Sequence, residues 1–291
     1  MRVFTNKHML DSDQSPLPTG LARTIDPRVP SNRLILILAV AATVSLGLFR
    51  LAAGALLPEV VIHAVGAGVF TTLAWAVGRE IDPDHNLSAA IAAVLMIVAL
   101  FVWPMPNLLL AGGLMAALRM VTRSTGLPLR LTDALALVAL AAISIVLDGF
   151  WMLGVVMALA FLLNGLLPKP DRPNSLIFAL IALGVTFILS LLVEIPVWTR
   201  ELDPGFGAMT MLTGLFYLAV ILRDPPTLQS VGDYDGQPLL RRRVLAAQLL
   251  ALAAVMGLEL RAGMIGVAAL APVWAAMAGV ILRWIVQFIR T

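Results

Sequence analysis

Ten apolar runs occupy this chain between residue 34 and residue 286, and they constrain the fold more than any other feature. A run of about 20 apolar residues matches one helix across the hydrocarbon core of a bilayer. Helices suit that environment because they satisfy their backbone hydrogen bonds internally. We therefore predict an all-α, polytopic transmembrane helical bundle of about ten spans. The predicted spans are residues 34–56, 60–78, 87–103, 107–122, 132–148, 150–167, 176–196, 207–222, 244–259 and 264–286.

The composition excludes an ordinary soluble domain. Mean hydropathy is +0.96 and 13% of the residues are charged, whereas soluble domains carry about 25% charged residues. The chain has no Cys, which excludes disulfides, a thiolate nucleophile and Cys-ligated metals. Residues 1–33 are polar and rich in Pro, Ser and Asp. We expect them to form a disordered cytoplasmic tail rather than a signal peptide, followed by a transmembrane domain over residues 34–291.

The basic residues predict the orientation of the bundle. An N-terminus on the inner side places 17 of the 20 Lys and Arg residues on that side and leaves Arg200 and Arg261 outside, with Arg50 inside the first span. Such an excess is typical of cytoplasmic loops. We therefore expect both termini to be cytoplasmic, in a multi-pass protein of the cell (plasma or inner) membrane. The positive net charge has the same cause, so no nucleic-acid partner is expected.

A charged pentapeptide occurs twice, as REIDP at residues 79–83 and as RELDP at residues 200–204. The copies follow the second and the seventh predicted span, so an odd number of spans separates them and they face opposite sides. A 5+5 inverted repeat, with halves 34–148 and 150–288, predicts this arrangement. A local alternative remains open. In any tight turn, the Asp could cap the next helix with Pro in its first position.

Two loops on the predicted inner side carry the richest set of polar residues. Carboxylates with His could hold a divalent cation, and Arg with Ser or Thr could hold a phosphate. That combination would suit phosphoryl transfer on a lipid-linked substrate, although no known intramembrane enzyme signature is present. The alternative is a solvated pair of loops that cap helices. The candidate cytoplasmic cluster comprises Glu80, Asp82, Asp84, His85, Arg119, Arg123 and Asp133.

Ionisable residues also collect near the predicted outer ends of spans, where each is costly to bury. They could form an outward-facing ion or substrate site. The alternative is a structural ion pair, for which Arg50 is well placed. The candidate outward cluster comprises Arg50, Glu59, His63, Asp148 and Glu194.

A run of three arginines, Arg241, Arg242 and Arg243, immediately precedes the ninth apolar run. Basic residues in this position anchor a helix to anionic lipid headgroups. Membrane lipids are therefore the one partner that the sequence predicts, and no cofactor is predicted.

Three functions fit these observations. The ten spans, the possible inverted repeat and the small extramembrane share favour a secondary transporter or small-solute carrier. In length, span count and 5+5 inversion the chain resembles the drug/metabolite transporter superfamily, a likeness of architecture over the whole chain without a motif match. One alternative is a membrane-embedded enzyme that acts on a lipid-linked phosphate at the cytoplasmic face. The other is a structural or assembly membrane protein without a small-molecule site.

Overall fold

The computed structural model describes residues 19–170, 174–193, 203–225 and 227–290, and over those residues it contains ten α-helices and no β-strand. The all-α prediction is confirmed. The helices are α1 (Pro30–Ala52), α2 (Leu57–Ile81), α3 (Asn86–Val102), α4 (Leu108–Thr122), α5 (Leu131–Asp148), α6 (Trp151–Leu166), α7 (Asn174–Leu192), α8 (Pro204–Arg223), α9 (Arg241–Ala269) and α10 (Ala271–Arg290).

Each helix overlaps one of the ten predicted runs. Seven of the described helices are long and apolar enough to cross a membrane, judged by length and composition. The other three, α3, α4 and α6, are equally apolar but have 17, 15 and 16 residues. Many exposed side chains of α1, α7 and α8 are large and apolar, as membrane-facing helices require. A membrane location is therefore compatible with the fold.

The helices alternate in direction, so the bundle has two ends. Arg119 near the end of α4 contacts Glu80 near the end of α2. Asn107, before the start of α4, contacts Asp148 at the end of α5. We call the first end the polar end and the second the cleft end. The short α4 lies at the centre, packed against α2, α5, α6 and α9.

Small residues bring α2, α3 and α10 into close contact. A Cβ added to Gly279 of α10 would clash with the carbonyl oxygen of Ser88 in α3. A Cβ added to Gly78 of α2 would lie 2.9 Å from the Cα of Ala89. Glycine at such crossings lets helix backbones approach, which strengthens packing between apolar helices.

The predicted tenth span, residues 264–286, is wrong at its start. Gly263 has φ 56° and ψ −134°, which interrupts α9, and residues 264–269 form a short helical turn. That turn folds back onto α9. Gly266 lies so close to Leu258 that an added Cβ would clash with the Leu258 carbonyl. The tenth helix begins only at Ala271, with Pro272 in its first turn, where a missing N–H is harmless.

The boundary predicted for the disordered tail, residue 33, also lies too far along the chain. Residues 1–18 lie outside the described part of the chain, but the segment that follows is bound to the bundle. Gly20 N donates to Asp133 at 2.8 Å, and Arg119 donates to the Leu21 carbonyl at 3.0 Å. Helix α1 then begins at Pro30, four residues before the predicted span.

Asp82 and Asp203, the aspartates of the two pentapeptides, lie at opposite ends of the bundle and have different local structures; residues 200–202 of the second copy lie outside the described residues. Asp203 is the N-cap of α8, with Pro204 in the first turn, and accepts a hydrogen bond from Phe206 N at 2.9 Å. Asp82 instead ends α2, and α3 begins only at Asn86. Capping therefore explains the second copy and not the first. Packing is partly equivalent between halves: α1 pairs with α2 as α6 does with α7. The extensive α2–α3 contact, however, has no comparable α7–α8 contact in the described residues.

Candidate functional site

A cleft of about 820 Å³ opens at the cleft end of the bundle. Three connections form its walls: the α3–α4 loop, the α5–α6 turn and the turn between α9 and α10. Its surface is mostly apolar. The lining residues are Val102, Trp103, Pro104, Met105, Pro106, Asn107, Val146, Leu147, Asp148, Gly149, Phe150, Val193, Met264, Ile265, Ala268 and Ala269.

Asn107, in the α3–α4 loop, forms hydrogen bonds to the other two walls. Its side-chain amide donates to Asp148 Oδ2 at 2.9 Å, and its backbone N–H donates to the Ala269 carbonyl at 3.1 Å. Its side-chain oxygen accepts from Leu110 N at 2.9 Å, which caps α4. Sequence reasoning missed this residue. The available signal was an Asn directly after Pro106 and before an apolar run, a pattern typical of a helix N-cap.

Asp148 is the charged residue among the described residues that line the cleft. It is the last residue of α5, and Gly149 follows with φ 69° as the C-cap. Because Asn107 occupies Oδ2, the other carboxylate oxygen is left without a hydrogen bond from the described residues. A helix C-terminus carries partial negative charge, which adds to that of the carboxylate. The cleft therefore favours a hydrogen-bond donor or a cation at this point.

The described members of the outward cluster do not assemble as one site. Arg50 and Glu59 form an ion pair at 3.7 Å across α1 and α2, and His63 Nδ1 lies 2.8 Å from the Glu59 carbonyl oxygen. None of these three lines the cleft. Asp148 lies apart, beside Asn107. Glu194, the fifth member, falls outside the described residues.

Glu80 anchors the first of several networks at the polar end. It is 1% exposed and accepts hydrogen bonds from Arg119 Nε at 2.7 Å, Thr122 at 2.7 Å and Ser124 at 3.0 Å. These bonds join α2 to the end of α4. Both carboxylate oxygens are occupied by protein donors, so this group has a structural role in the fold described here.

Asp82 belongs to a separate network. Its Oδ1 lies 2.8 Å from His85 Nδ1, and its Oδ2 contacts the Ser88 hydroxyl and lies 3.1 Å from Arg283 Nη2 in α10. Arg283 also reaches Asp224 at 3.7 Å. Burial raises the pKa of the Asp224 carboxyl, while the positive charge of Arg283 acts in the opposite direction.

The remaining members of the candidate cytoplasmic cluster satisfy backbone groups. Asp84 accepts from Ser230 N at 2.8 Å, Asp133 accepts from Gly20 N and from Arg130 N, and Arg123 donates to the Lys169 carbonyl. The structure therefore brings Glu80 together with Arg119, and Asp82 together with His85, but it places Asp84, Arg123 and Asp133 in separate contacts with backbone groups. Within the described ranges, no group of three or more His, Asp or Glu side chains is placed to hold a metal ion.

Arg243 differs from the exposed anchor that the sequence predicted. It is 1% exposed and donates to the carbonyls of Val121 at 3.0 Å, Pro168 at 2.9 Å and Lys169 at 3.0 Å. It thus satisfies carbonyls at the ends of α4 and α6, which lack helical partners. Of the three arginines, only Arg242 is exposed. Arg242 is therefore the arginine of this run that is exposed to contact anionic headgroups. That contact stays a prediction.

Three loops close over the polar end. Asp233 N donates to the Ser124 carbonyl at 3.1 Å, and Tyr234 N donates to the Thr125 carbonyl at 3.0 Å. Arg23 forms an ion pair with Asp233 at 2.9 Å. Burial raises the pKa of the Asp233 carboxyl, and the Arg23 charge opposes that shift. We call these contacts between residues 20–25, 122–133 and 227–240 the loop latch.

Comparison of the chain with family models, with curated proteins and with solved structures gives no match.

Proposed function

We propose that this protein is a multi-pass membrane carrier that takes a small, mostly apolar solute with a cationic or hydrogen-bond-donating group into the cleft beside Asp148. The observation that carries the proposal is the cleft itself. Its volume of about 820 Å³, its apolar walls and the single carboxylate among its described lining residues match the usual form of a small-molecule site.

The interrupted backbone at the cleft end supports carriage rather than passive binding. Gly263 breaks α9, and the turn of residues 264–269 forms one wall of the cleft. Irregular backbone at membrane depth is found where it lines a cavity, and broken helices are common at transporter binding sites. A wall made from a short turn can shift without unpacking a whole helix.

The enzyme alternative has less support. Its candidate residues are at the polar end, where Glu80 and Asp82 are occupied by Arg119 and Arg283 respectively. A pocket at that end, beside Arg119 and Arg123, has a volume of only about 10 Å³. A lipid-linked substrate would need both free ligands and space.

The proposed orientation places the polar end in the cytoplasm. Among the described Lys and Arg residues, only Arg50 and Arg261 lie at the cleft end. Reporter fusions test this orientation directly. Fusions after residues 84, 126 and 235 should report cytoplasm and a fusion after residue 105 should report the outside. A cytoplasmic signal at residue 105 would contradict the proposal.

Binding is tested with charge-contrasted aromatic probes on the full chain in lipid nanodiscs. Ethidium is an aromatic cation with amino groups, and anilinonaphthalene sulfonate is an aromatic anion. We expect ethidium to bind with a fluorescence increase and the anion to bind more weakly. Asp148→Asn should weaken ethidium binding about tenfold, or ~1.4 kcal/mol, because it removes the negative charge and keeps the shape.

The matched control is Glu59→Gln, which removes a carboxylate at the same end that does not line the cleft. Its ethidium affinity should equal that of the unmodified protein. Equal affinities for the unmodified protein and Asp148→Asn would refute the assignment of the cleft. Ethidium that binds but never enters proteoliposomes would refute carriage while leaving the binding site in place.

A further inference from the structure

The rim of the cleft is apolar and exposed, which a compact solute leaves unexplained. Val102, Val146, Leu147 and Ile265 line the cleft and are exposed, Val102 to 72% and Leu147 to 70%. Phe150, in contrast, is buried. Exposing large apolar side chains to water is unfavourable, whereas the lipid chains of a bilayer are as apolar as these side chains. The rim therefore suits contact with hydrocarbon.

Helix α5 continues this rim along its exposed face. Leu135, Ala139, Ile143 and Leu147 recur every four residues, and all four are exposed. Residues at this spacing lie on one face of a helix. We call these four residues the α5 stripe. Since Asp148 directly follows Leu147, the stripe is an apolar surface that ends at the charged residue of the cleft.

The charge of the cleft determines which headgroup fits. Asn107 occupies one carboxylate oxygen of Asp148, and the other lacks a hydrogen bond from the described residues. Lys, Arg and His are absent from the described lining residues. A phosphate or carboxylate headgroup would therefore meet the negative charge of Asp148 without a basic residue of the cleft to bind it. An ammonium headgroup is attracted instead, and it can donate to the unoccupied oxygen.

We propose that the ligand of the cleft is an alkyl amine amphiphile that enters from the bilayer. Its ammonium group binds Asp148, and its hydrocarbon chain lies along the α5 stripe. The cleft volume of about 820 Å³ is within the range of ligand sites, about 300–1,000 Å³, so the cleft has room for the headgroup and the first part of the chain. The inference names the substrate class of the proposed carrier and rests on that function.

The site is tested by photolabelling of the full chain in phosphatidylcholine nanodiscs. The probe is hexadecylamine with a photoreactive diazirine in the middle of its chain, and peptide mass spectrometry locates the adducts. We expect adducts on Ile143 and Leu147 that fall several-fold with excess hexadecylamine and much less with hexadecanoic acid, its anionic counterpart. Adducts on Val40 and Val44, exposed on α1, should change with neither competitor, because they report general contact with the bilayer. Absence of adducts from the α5 stripe, or an equal loss with both competitors, would overturn the proposal.

Two tryptophan variants test the path of the chain. Leu147→Trp stays apolar but fills the rim beside Asp148. Leu57→Trp is its matched control, because Leu57 is also 70% exposed at the cleft end but does not line the cleft. Labelling of Ile143 should fall about tenfold in Leu147→Trp and stay unchanged in Leu57→Trp. Equal labelling of Ile143 in both variants would overturn the assigned path.

Ethidium separates this inference from the proposed function. Hexadecylamine should displace ethidium from the unmodified protein, because both would bind at Asp148. Ethidium that binds and is not displaced, in a protein whose α5 stripe is unlabelled, would refute the amphiphile and leave the proposed carrier in place. Specific labelling of the stripe in a protein that binds no ethidium would refute the compact solute and support the amphiphile.

Discussion

Arg243 of α9 donates a hydrogen bond to the side-chain oxygen of Asn164 in α6 at 2.9 Å. The two residues are 79 positions apart in the chain, and both are 1% exposed. The Asn164 amide in turn donates to Ser175 in α7 at 2.9 Å. A single buried guanidinium therefore joins three helices at the polar end and saturates the carbonyls that close α4 and α6.

Replacing Arg243 should be among the most destabilising changes in the protein. Arg243→Met leaves several buried carbonyls and the Asn164 oxygen without donors, and such losses cost about 3–5 kcal/mol. The neighbouring Arg242→Met removes an exposed arginine from the same run and should change stability by less than about 0.5 kcal/mol. Thermal unfolding in detergent compares the two. Equal midpoints would show that the buried hydrogen bonds of Arg243 contribute little to stability.

Asp82 and Asp203 should respond differently to the same substitution. Asp203→Asn should be nearly silent, because Asn caps a helix about as well as Asp. Asp82→Asn removes the carboxylate that faces buried Arg283 and should cost about 3 kcal/mol or more. Thermal midpoints of the two variants test this contrast. Similar small effects would mean that the Asp82–Arg283 contact contributes little to stability.

Asn107 should be essential to the shape of the cleft. Asn107→Asp retains the cap of α4 but places a second carboxylate against Asp148, and the two like charges repel each other. Asn107→Ser retains capping without that charge but loses the amide donor to Asp148, so it should cost about 1–2 kcal/mol. Ethidium affinity and thermal midpoint, measured for both variants, separate repulsion from capping. A fully stable Asn107→Asp protein would contradict the 2.9 Å contact with Asp148.

The loop latch should make stability depend on pH through Asp233. Burial raises the pKa of this carboxyl from its ordinary value of 3.8. A raised folded pKa means that the associated stability is present below the unfolded pKa and is lost as the pH rises through the folded pKa. From about pH 4 to about pH 7, the unmodified protein should therefore lose stability relative to Asp233→Asn.

The measurement is the difference in thermal midpoint between the two proteins across that pH range. Arg23→Gln is the informative control, because it removes the charge that holds the Asp233 pKa down. Its loss of stability should therefore extend to higher pH. A difference between unmodified protein and Asp233→Asn that stays flat with pH would refute this account of the latch.

Helix positions followed closely from the sequence, because apolar length is a local property. Helix α4 was expected over residues 107–122 and occupies Leu108–Thr122. The start of α10 could not be predicted, since Gly263 and the turn after it are as apolar as their surroundings. The contrast between Arg242 and Arg243 was equally inaccessible. Adjacent helical residues point about 100° apart, and only the packing of α9 decides which faces inward.

The candidate site was harder still to predict, because its residues meet through packing. Asn107 and Asp148 are 41 positions apart and come from loops that the helices bring together. The sequence indicated Asp148 as an ionisable residue at a span end, but it grouped Asp148 with Arg50 and Glu59 on the basis of depth alone. Depth follows from hydropathy. Lateral position in the bundle does not.

The shortness of the central helix has a consequence for the energetics of binding. With 15 residues, α4 rises only about 22 Å, against a hydrocarbon thickness of about 30 Å. In a membrane of that thickness, the two ends of α4 together fall roughly 8 Å short of the surfaces. The cleft at its first turn would then be recessed below the level of the headgroups, with hydrocarbon around the bundle at the depth of Asp148. A cation that reaches it would be attracted far more strongly than at an aqueous surface, because the local dielectric constant is low.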